Sequence, residues 1–175
     1  MVSTATAYFV FMGLTGIERL VELGVGRRNY QWSMSQGGVE YGRGHWPWMV
    51  LLHTGFLVGC VAEAWLFSPP FHPIVGPAML VLAVLCQTLR WWCIRTLGHR
   101  WNPRVVVIPD TERATGGPYR FLSHPNYVAV ALEGVALPMI FGGWRTAIAF
   151  TVLNGWLMLV RIRCENKATS QLRVP

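Results

Sequence analysis

Charge is what this sequence has least of. Only 13% of its 175 residues are Asp, Glu, Lys or Arg, against roughly 25% in ordinary soluble domains. Hydrophobic residues make up 53% and nine residues are Trp, so a water-solvated globular domain gives way to a chain solvated by lipid. Cysteine is scarce too. Cys60, Cys86, Cys93 and Cys164 form no CxxC pair and no ligand-like spacing with His, which excludes a disulfide scaffold and predicts small buried apolar residues, with no metal site. Internal repeats and low-complexity tracts are missing, and the apolar content excludes disorder. No GxGxxG follows a strand and no strand-helix alternation is present, so the common soluble dinucleotide-type pocket is excluded. The net charge of +7 would suit nucleic acid on a polar chain. On one this apolar it predicts the anionic cytoplasmic leaflet as partner, that is membrane lipids and no nucleic acid.

A membrane span needs about 20 mostly apolar residues. Five segments come close: Ser3 to Leu23, Trp46 to Phe67, Ile74 to Arg95, Pro125 to Gly142 and Trp144 to Ile162. The expected fold is all-α, a polytopic membrane helix bundle of about five transmembrane helices forming one domain. The Met1 end lacks a basic flank and a small-residue cleavage site, so the first segment reads as a retained helix rather than a signal peptide. Pro-rich Ser68-Pro69-Pro70-Phe71-His72-Pro73 and the pair Gly142-Gly143 predict two tight helical hairpins.

Orientation follows from the preference of positive loops for the cytoplasm. Every Lys and Arg except Arg145 lies at or beyond the end of the first span, around the connection from third to fourth, or at the end of the fifth. Five spans then put the N-terminus outside and the C-terminus in the cytoplasm. The two long connections, Gly24 to His45 and Gly98 to Ser123, fall on that same side, and long structured connections tend to carry function.

Ionisable groups at membrane depth are costly and mark candidate sites. Glu133 falls near the middle of the fourth span and His53 about two turns into the second. Both are candidates for the substrate site, with a structural role as the alternative. Glu18 and Glu22 share one face of the first span beside Arg19 and are expected to hold the bundle together through Arg partners. On the fifth span Asn154, Met158, Arg161 and Glu165 form one helical stripe. Arg161 and Glu165 are spaced to pair directly, and Asn154 joins the substrate candidates. Gly55 and Gly59 make a GxxxG pair for close helix contact, within the bundle or between subunits.

The segment from Thr115 to Tyr127 is equally unusual. Gly116-Gly117-Pro118 ends the incoming loop, and Pro125 suits the first position of a helix because no amide donor is needed there. His124 is then the N-cap. A helix N-terminus offers unpaired amides to a carboxylate, while Tyr119 and Tyr127 offer aromatic faces to a cation or a base. A carboxylate, a cation and an aromatic base occur together in S-adenosylmethionine.

At these residues the sequence resembles the isoprenylcysteine carboxyl methyltransferase family of integral membrane methyltransferases. The matching run starts at Leu97-Gly98-His99-Arg100-Trp101, continues through Gly117-Pro118-Tyr119-Arg120 and His124-Pro125-Asn126-Tyr127, and ends at Arg161-Ile162-Arg163-Cys164-Glu165. Short bacterial members also resemble Ile17-Glu18-Arg19-Leu20 and His53 of the N-terminal half. The resemblance implies S-adenosylmethionine held at the cytoplasmic face by Gly117, Tyr119, His124, Pro125 and Tyr127. Arg161 and Glu165 would be the catalytic pair between cofactor and acceptor, with Trp101 and Asn102 closing the pocket. Two departures stand out: Ser123 replaces the family's Arg before His-Pro, and Asn166 replaces a second acid after Glu165.

The expected function is O-methyl transfer from S-adenosylmethionine to a lipophilic acceptor, in a bacterial plasma membrane with the site facing the cytoplasm. A long-alkyl phenol or pyrone is the first acceptor class and a prenylcysteine carboxylate the second. Alternatives are a sterol-type membrane reductase using NADPH, and a non-enzymatic lipid-binding protein whose polar stripe only stabilises the bundle.

Overall fold

The computed structural model describes residues 3–109, 111–112 and 114–169, without the side chain of Thr169. Five helices dominate: α1 Thr4–Ser35, α2 Trp46–Phe67, α3 Val75–Leu97, α4 Pro125–Met139 and α5 Trp144–Thr169. Three stretches are long and apolar enough to cross a membrane, Arg43–Phe67, Val75–Arg100 and Trp144–Ala168. The other two helices miss that standard for different reasons. The middle of α1 carries Glu18, Arg19 and Glu22, and α4 is only 15 residues long. Large apolar side chains such as Leu20, Leu51, Trp65, Leu85 and Val152 stand exposed around the bundle, as a lipid-facing surface requires.

The structure adds a strand pair that an all-α reading lacks. β1 (Val39–Tyr41) and β2 (Val105–Val107) run antiparallel, with Val39 opposite Val107 and Tyr41 opposite Val105. They join the α1–α2 and α3–α4 connections into one layer across the end of the bundle. α1 also corrects its expected boundary. It continues about three turns past Leu23 to Ser35, so the first connection is short and the polar end of α1 projects beyond the apolar bundle.

Packing runs from α3 to α4, α4 to α5, α5 to α2 and α2 to α1. The α4–α5 hairpin holds as expected, turning at Gly142 with φ +73°. The link from α2 to α3 is tight, yet the two helices share little contact because each packs on the other hairpin instead. Phe56 of α2 stacks on Phe150 of α5 at 4.0 Å. Gly59 lets these helices meet: a Cβ there would lie 3.2 Å from Thr146, so one member of the GxxxG pair serves contact within the bundle. Gly55 faces open space.

α1 returns to α3 and α4 largely through long side chains. Tyr8 donates to the Leu137 carbonyl at 3.1 Å and stacks on Phe141. Deeper in, Arg19 reaches Glu22 and Glu133 at 2.6 Å each and also bonds Gln87. Arg90 grips Glu22 through Nε at 3.1 Å and Nη2 at 2.5 Å, and Trp91 donates to Glu18. Burying such charges is tolerable only when they are paired and hydrogen-bonded, and here the pairing stitches three helices. At the far end of the bundle, buried Glu63 of α2 accepts from the Arg145 and Thr146 amides at 3.1 and 2.7 Å. A carboxylate thus caps the N-terminus of α5 from another helix.

Candidate active site

The strand end of the bundle builds a cleft from several separate pieces of chain. On one side, the 3₁₀ turn Gly117–Arg120 lies against α3. Gly117 has φ +56°, and a Cβ there would press on Thr96 and Trp92 of α3, so the residue positions the turn without lining the cleft. The turn delivers Tyr119, whose phenol reaches Cys93. Burial, with the neighbouring thiol, holds that phenol above its ordinary pKa, so Tyr119 stays neutral. Pro125 opens α4 directly after His124, as expected, and no side chain caps this helix N-terminus.

On the other side stands the last part of α5. Arg161 is buried, 7% exposed. Its Nε donates to the Tyr127 hydroxyl at 2.7 Å, and its guanidinium carbon lies 5.3 Å from the Tyr127 ring centroid. The Tyr127 hydroxyl in turn donates to Glu165. His124 stacks on Tyr127 with centroids 5.2 Å apart, and its Nδ1 lies 3.8 Å from Glu165 Oε1. The direct Arg161–Glu165 pair expected from spacing is thus replaced by a phenol-bridged one. Among the described residues no carboxylate comes within ion-pair distance of Arg161. A buried guanidinium left that way is costly, and the remaining contact, Nη1 to Met49 Sδ at 3.1 Å, is to a weak acceptor.

The roof comes from the strand layer. Arg104, next to β2, binds Glu40 of β1 at 3.0 Å and lies over the Tyr30 and Trp46 rings at 4.9 and 5.0 Å. Glu40 also accepts from Tyr30 at 2.9 Å. The exit from α3 is fixed by Asn29 of α1, which donates to the Gly98 and Trp101 carbonyls at 3.1 and 2.8 Å. The cleft so enclosed has two adjoining lobes of about 130 and 170 Å³. Tyr119, His124 and Glu165 border both lobes.

Of the residues expected at the site, Tyr119, His124, Pro125, Tyr127, Arg161 and Glu165 come together around this cleft, as do Trp101 and Asn102. The residues expected at the acceptor, Glu133, His53 and Asn154, do not line this cleft. Glu133 is committed to Arg19 and Arg90. His53 Nδ1 lies 2.8 Å from the Met49 carbonyl, and its ring packs edge-on against Phe150. Asn154 is buried about two turns before Arg161 on the same stripe of α5, its Nδ2 donating to Met158 Sδ at 3.1 Å. Sequence reasoning missed Arg104 and the β2 wall, although Val105-Val106-Val107 after Pro103 is a β-branched run of the kind strands favour. It also missed Met49, which no motif marks.

A second hollow opens between α2 and α5. It holds about 520 Å³ and is lined by apolar groups, among them Trp48, Leu52, Phe56, Leu153, Trp156 and Leu157. Trp48 and Trp156 are exposed at its rim. Leu157 stands one turn of α5 before Arg161, and Trp48 precedes Met49, which Arg161 contacts.

Comparison with known proteins agrees with this geometry. The family model described as "Isoprenylcysteine carboxyl methyltransferase (ICMT) family" matches residues 79–171, which take in most of α3, all of α4 and α5, and every cleft-lining residue except Ser33. The chain is also 33% identical over 168 residues to the uncharacterized protein YpbQ of Bacillus subtilis (strain 168), covering 95% of this chain and 99% of that protein. No solved structure matches. Nothing in these comparisons supports a reductase. With more than half of its length inside the family match, and with the family's His-Pro, Tyr, Arg and Glu gathered around one cleft, this chain belongs to the isoprenylcysteine carboxyl methyltransferase family, a family of membrane methyltransferases.

Proposed function

We propose that the protein is an O-methyltransferase that takes a lipophilic acceptor from the bilayer and S-adenosylmethionine from the cytosol. The observation that carries this reading is the position of Arg161. This buried guanidinium, with no carboxylate in ion-pair distance among the described residues, lines the polar cleft one turn beyond Leu157 of the apolar groove.

The cleft fits the cofactor by the chemistry of its walls. An uncapped helix N-terminus at His124 and Pro125 suits a carboxylate. The Tyr127 and Tyr119 rings suit a cation and a flat base. When bound, S-adenosylmethionine supplies an electrophilic methyl group. The protein's own residues then have to orient the acceptor and keep water away. Arg161 holds the accepting oxygen by charge, and Tyr127 keeps the guanidinium in place. Glu165 is within reach of the proton released by a phenol or enol, because it already accepts from the Tyr127 hydroxyl. A carboxylate acceptor would bring no such proton. The single acid at Glu165, followed by Asn166, supports a long-alkyl phenol or pyrone ahead of a prenylcysteine carboxylate.

In this reading α1 and α4 cross the membrane with α2, α3 and α5, the strand end faces the cytoplasm, and the membrane is the bacterial plasma membrane. The gathering of Arg27, Arg28, Arg100, Arg104 and Arg163 toward the strand end supports it, since basic ends stay inside. The test is to incubate membranes containing the protein with methyl-labelled cofactor and a panel of lipids and to identify the labelled product by mass spectrometry. Label on an alkylphenol or pyrone ether is expected. Label only on protein or phospholipid would overturn the proposal.

A further inference from the structure

Two methionines adjoin the groove residues Trp48 and Leu157 in the chain, and one of them touches Arg161 of the cleft. Met49 Sδ takes the bond from Arg161 Nη1, and Met158 Sδ takes the bond from Asn154 Nδ2, each at 3.1 Å. Sulfur is a weak acceptor, so a charged donor and an amide donor both end on poor partners inside the protein. The same amide has a second deficit: Asn154 Oδ1 is buried and has no hydrogen-bond partner. Buried polar groups are rarely left so. Both sulfurs sit on half-buried side chains, and methionine has three freely turning bonds with no branch, so each can swing aside while its helix stays still.

From this juxtaposition we infer that Met49 and Met158 form a displaceable gate between groove and cleft, and that they occupy the seat of the acceptor's oxygen-bearing head. The hydrocarbon tail of the acceptor fills the groove along Leu52, Phe56 and Leu157. Its head pushes the two sulfurs aside and takes over the bonds from Arg161 Nη1 and Asn154 Nδ2. Asn154 is then a specificity-determining residue, buried until the head arrives. The resting gate also shields the cleft from lipid chains that carry no polar head, since a bare chain offers Arg161 nothing in exchange for sulfur. This inference rests on the lipophilic-acceptor reading above, and it adds how the acceptor is admitted.

Two measurements test it, one independent of turnover. In protein labelled at the methionine methyl carbons and held in nanodiscs, the Met49 and Met158 signals are assigned by Met49→Leu and Met158→Leu. A long-chain alkylphenol is expected to shift both signals, whereas a long-chain alkane, whose entry is followed by Trp fluorescence, leaves both in place. Unmoved methionine signals with an alkylphenol that does quench the Trp fluorescence would overturn the gate. The second measurement is kinetic. Met49→Ile, stiff at χ1, is expected to raise KM for the long-chain alkylphenol roughly tenfold with cofactor KM unchanged, and Met49→Leu is expected to restore it. An unchanged acceptor KM in active Met49→Ile protein sinks the gate alone, while wild-type protein that methylates no member of the lipid panel sinks the parent reading.

Discussion

Arg161 and Glu165 sit one helical turn apart on α5 and are joined through Tyr127: the guanidinium donates to the phenol oxygen at 2.7 Å and the phenol donates to the carboxylate. The bridging group comes from α4, so two helices must be in register for the pair to exist. Tyr127→Phe removes both bonds and leaves the ring. Hydrogen bonds to charged groups are worth about 1.5–3 kcal/mol, so kcat/KM for methyl transfer should fall roughly 10- to 100-fold. Steady-state kinetics of the variant checks this, with the alkylphenol as acceptor.

Arg161 itself should show opposite effects on activity and on stability. Its charge is buried with no carboxylate partner among the described residues, and exchanging such a group for an apolar one of similar length relieves desolvation. Arg161→Met is expected to abolish methyl transfer while raising stability by about 1–2 kcal/mol, at the low end of gains from replacing buried charges. Thermal unfolding in detergent alongside a turnover assay checks both. A variant that loses activity and stability together would assign Arg161 to the packing of the bundle.

The buried cluster on α1, α3 and α4 predicts the reverse pattern. Arg90→Leu leaves Glu22 and Glu133 short of a partner, and breaking a buried pair on one side costs about 3–5 kcal/mol. The unfolding midpoint should drop accordingly. At temperatures where the variant is folded, the cofactor's KM should stay at the wild-type value, because none of these residues borders the cleft.

Glu63 offers a control at the opposite end of the molecule. Glu63→Ala removes the acceptor of the Arg145 and Thr146 amides, and loss of an N-cap costs about 0.5–2 kcal/mol. Stability should fall by that amount with the rate of methyl transfer unaltered, measured by unfolding and by turnover.

The two glycines of α2 should respond differently to the same change. Gly55 borders the groove with open space beside it, so Gly55→Leu should raise KM for a long-chain acceptor several-fold, leaving KM for p-cresol unchanged. Gly59 stands against Thr146, so Gly59→Leu should cost stability by about 1–3 kcal/mol, as overpacking does. Comparing KM and unfolding midpoints of the two variants separates the roles.

Sequence reading reached the helices and the residues that gather around the cleft because both leave local marks. Apolar length marks a span, and Gly117-Pro118-Tyr119 and His124-Pro125 mark a turn and a helix start whatever they pack on. Less legible are the residues whose surroundings are set across the fold. Glu133 reads as a lone acid until Arg19 of α1 and Arg90 of α3 arrive beside it. Met49 reads as one apolar residue among many until α2 sets its sulfur against Arg161. β1 is only three residues long, and its partner lies more than 60 positions away, so nothing near it in the sequence announces the pairing.

The pairing of β1 with β2 has a consequence for how this protein can be divided or recombined. The family match begins at residue 79, within α3, yet Arg90 and Glu133 beyond that point are neutralised by Arg19 and Glu22 before it, and β2 takes its ladder bonds from β1. A segment cut at the family boundary would carry an unpaired strand edge at the end of the bundle and unmatched charges between its helices. The two halves are therefore a single inheritance unit: a chimera that takes 79–171 from one relative must take Arg19, Glu22 and the Glu40 strand from the same parent, or supply their equivalents.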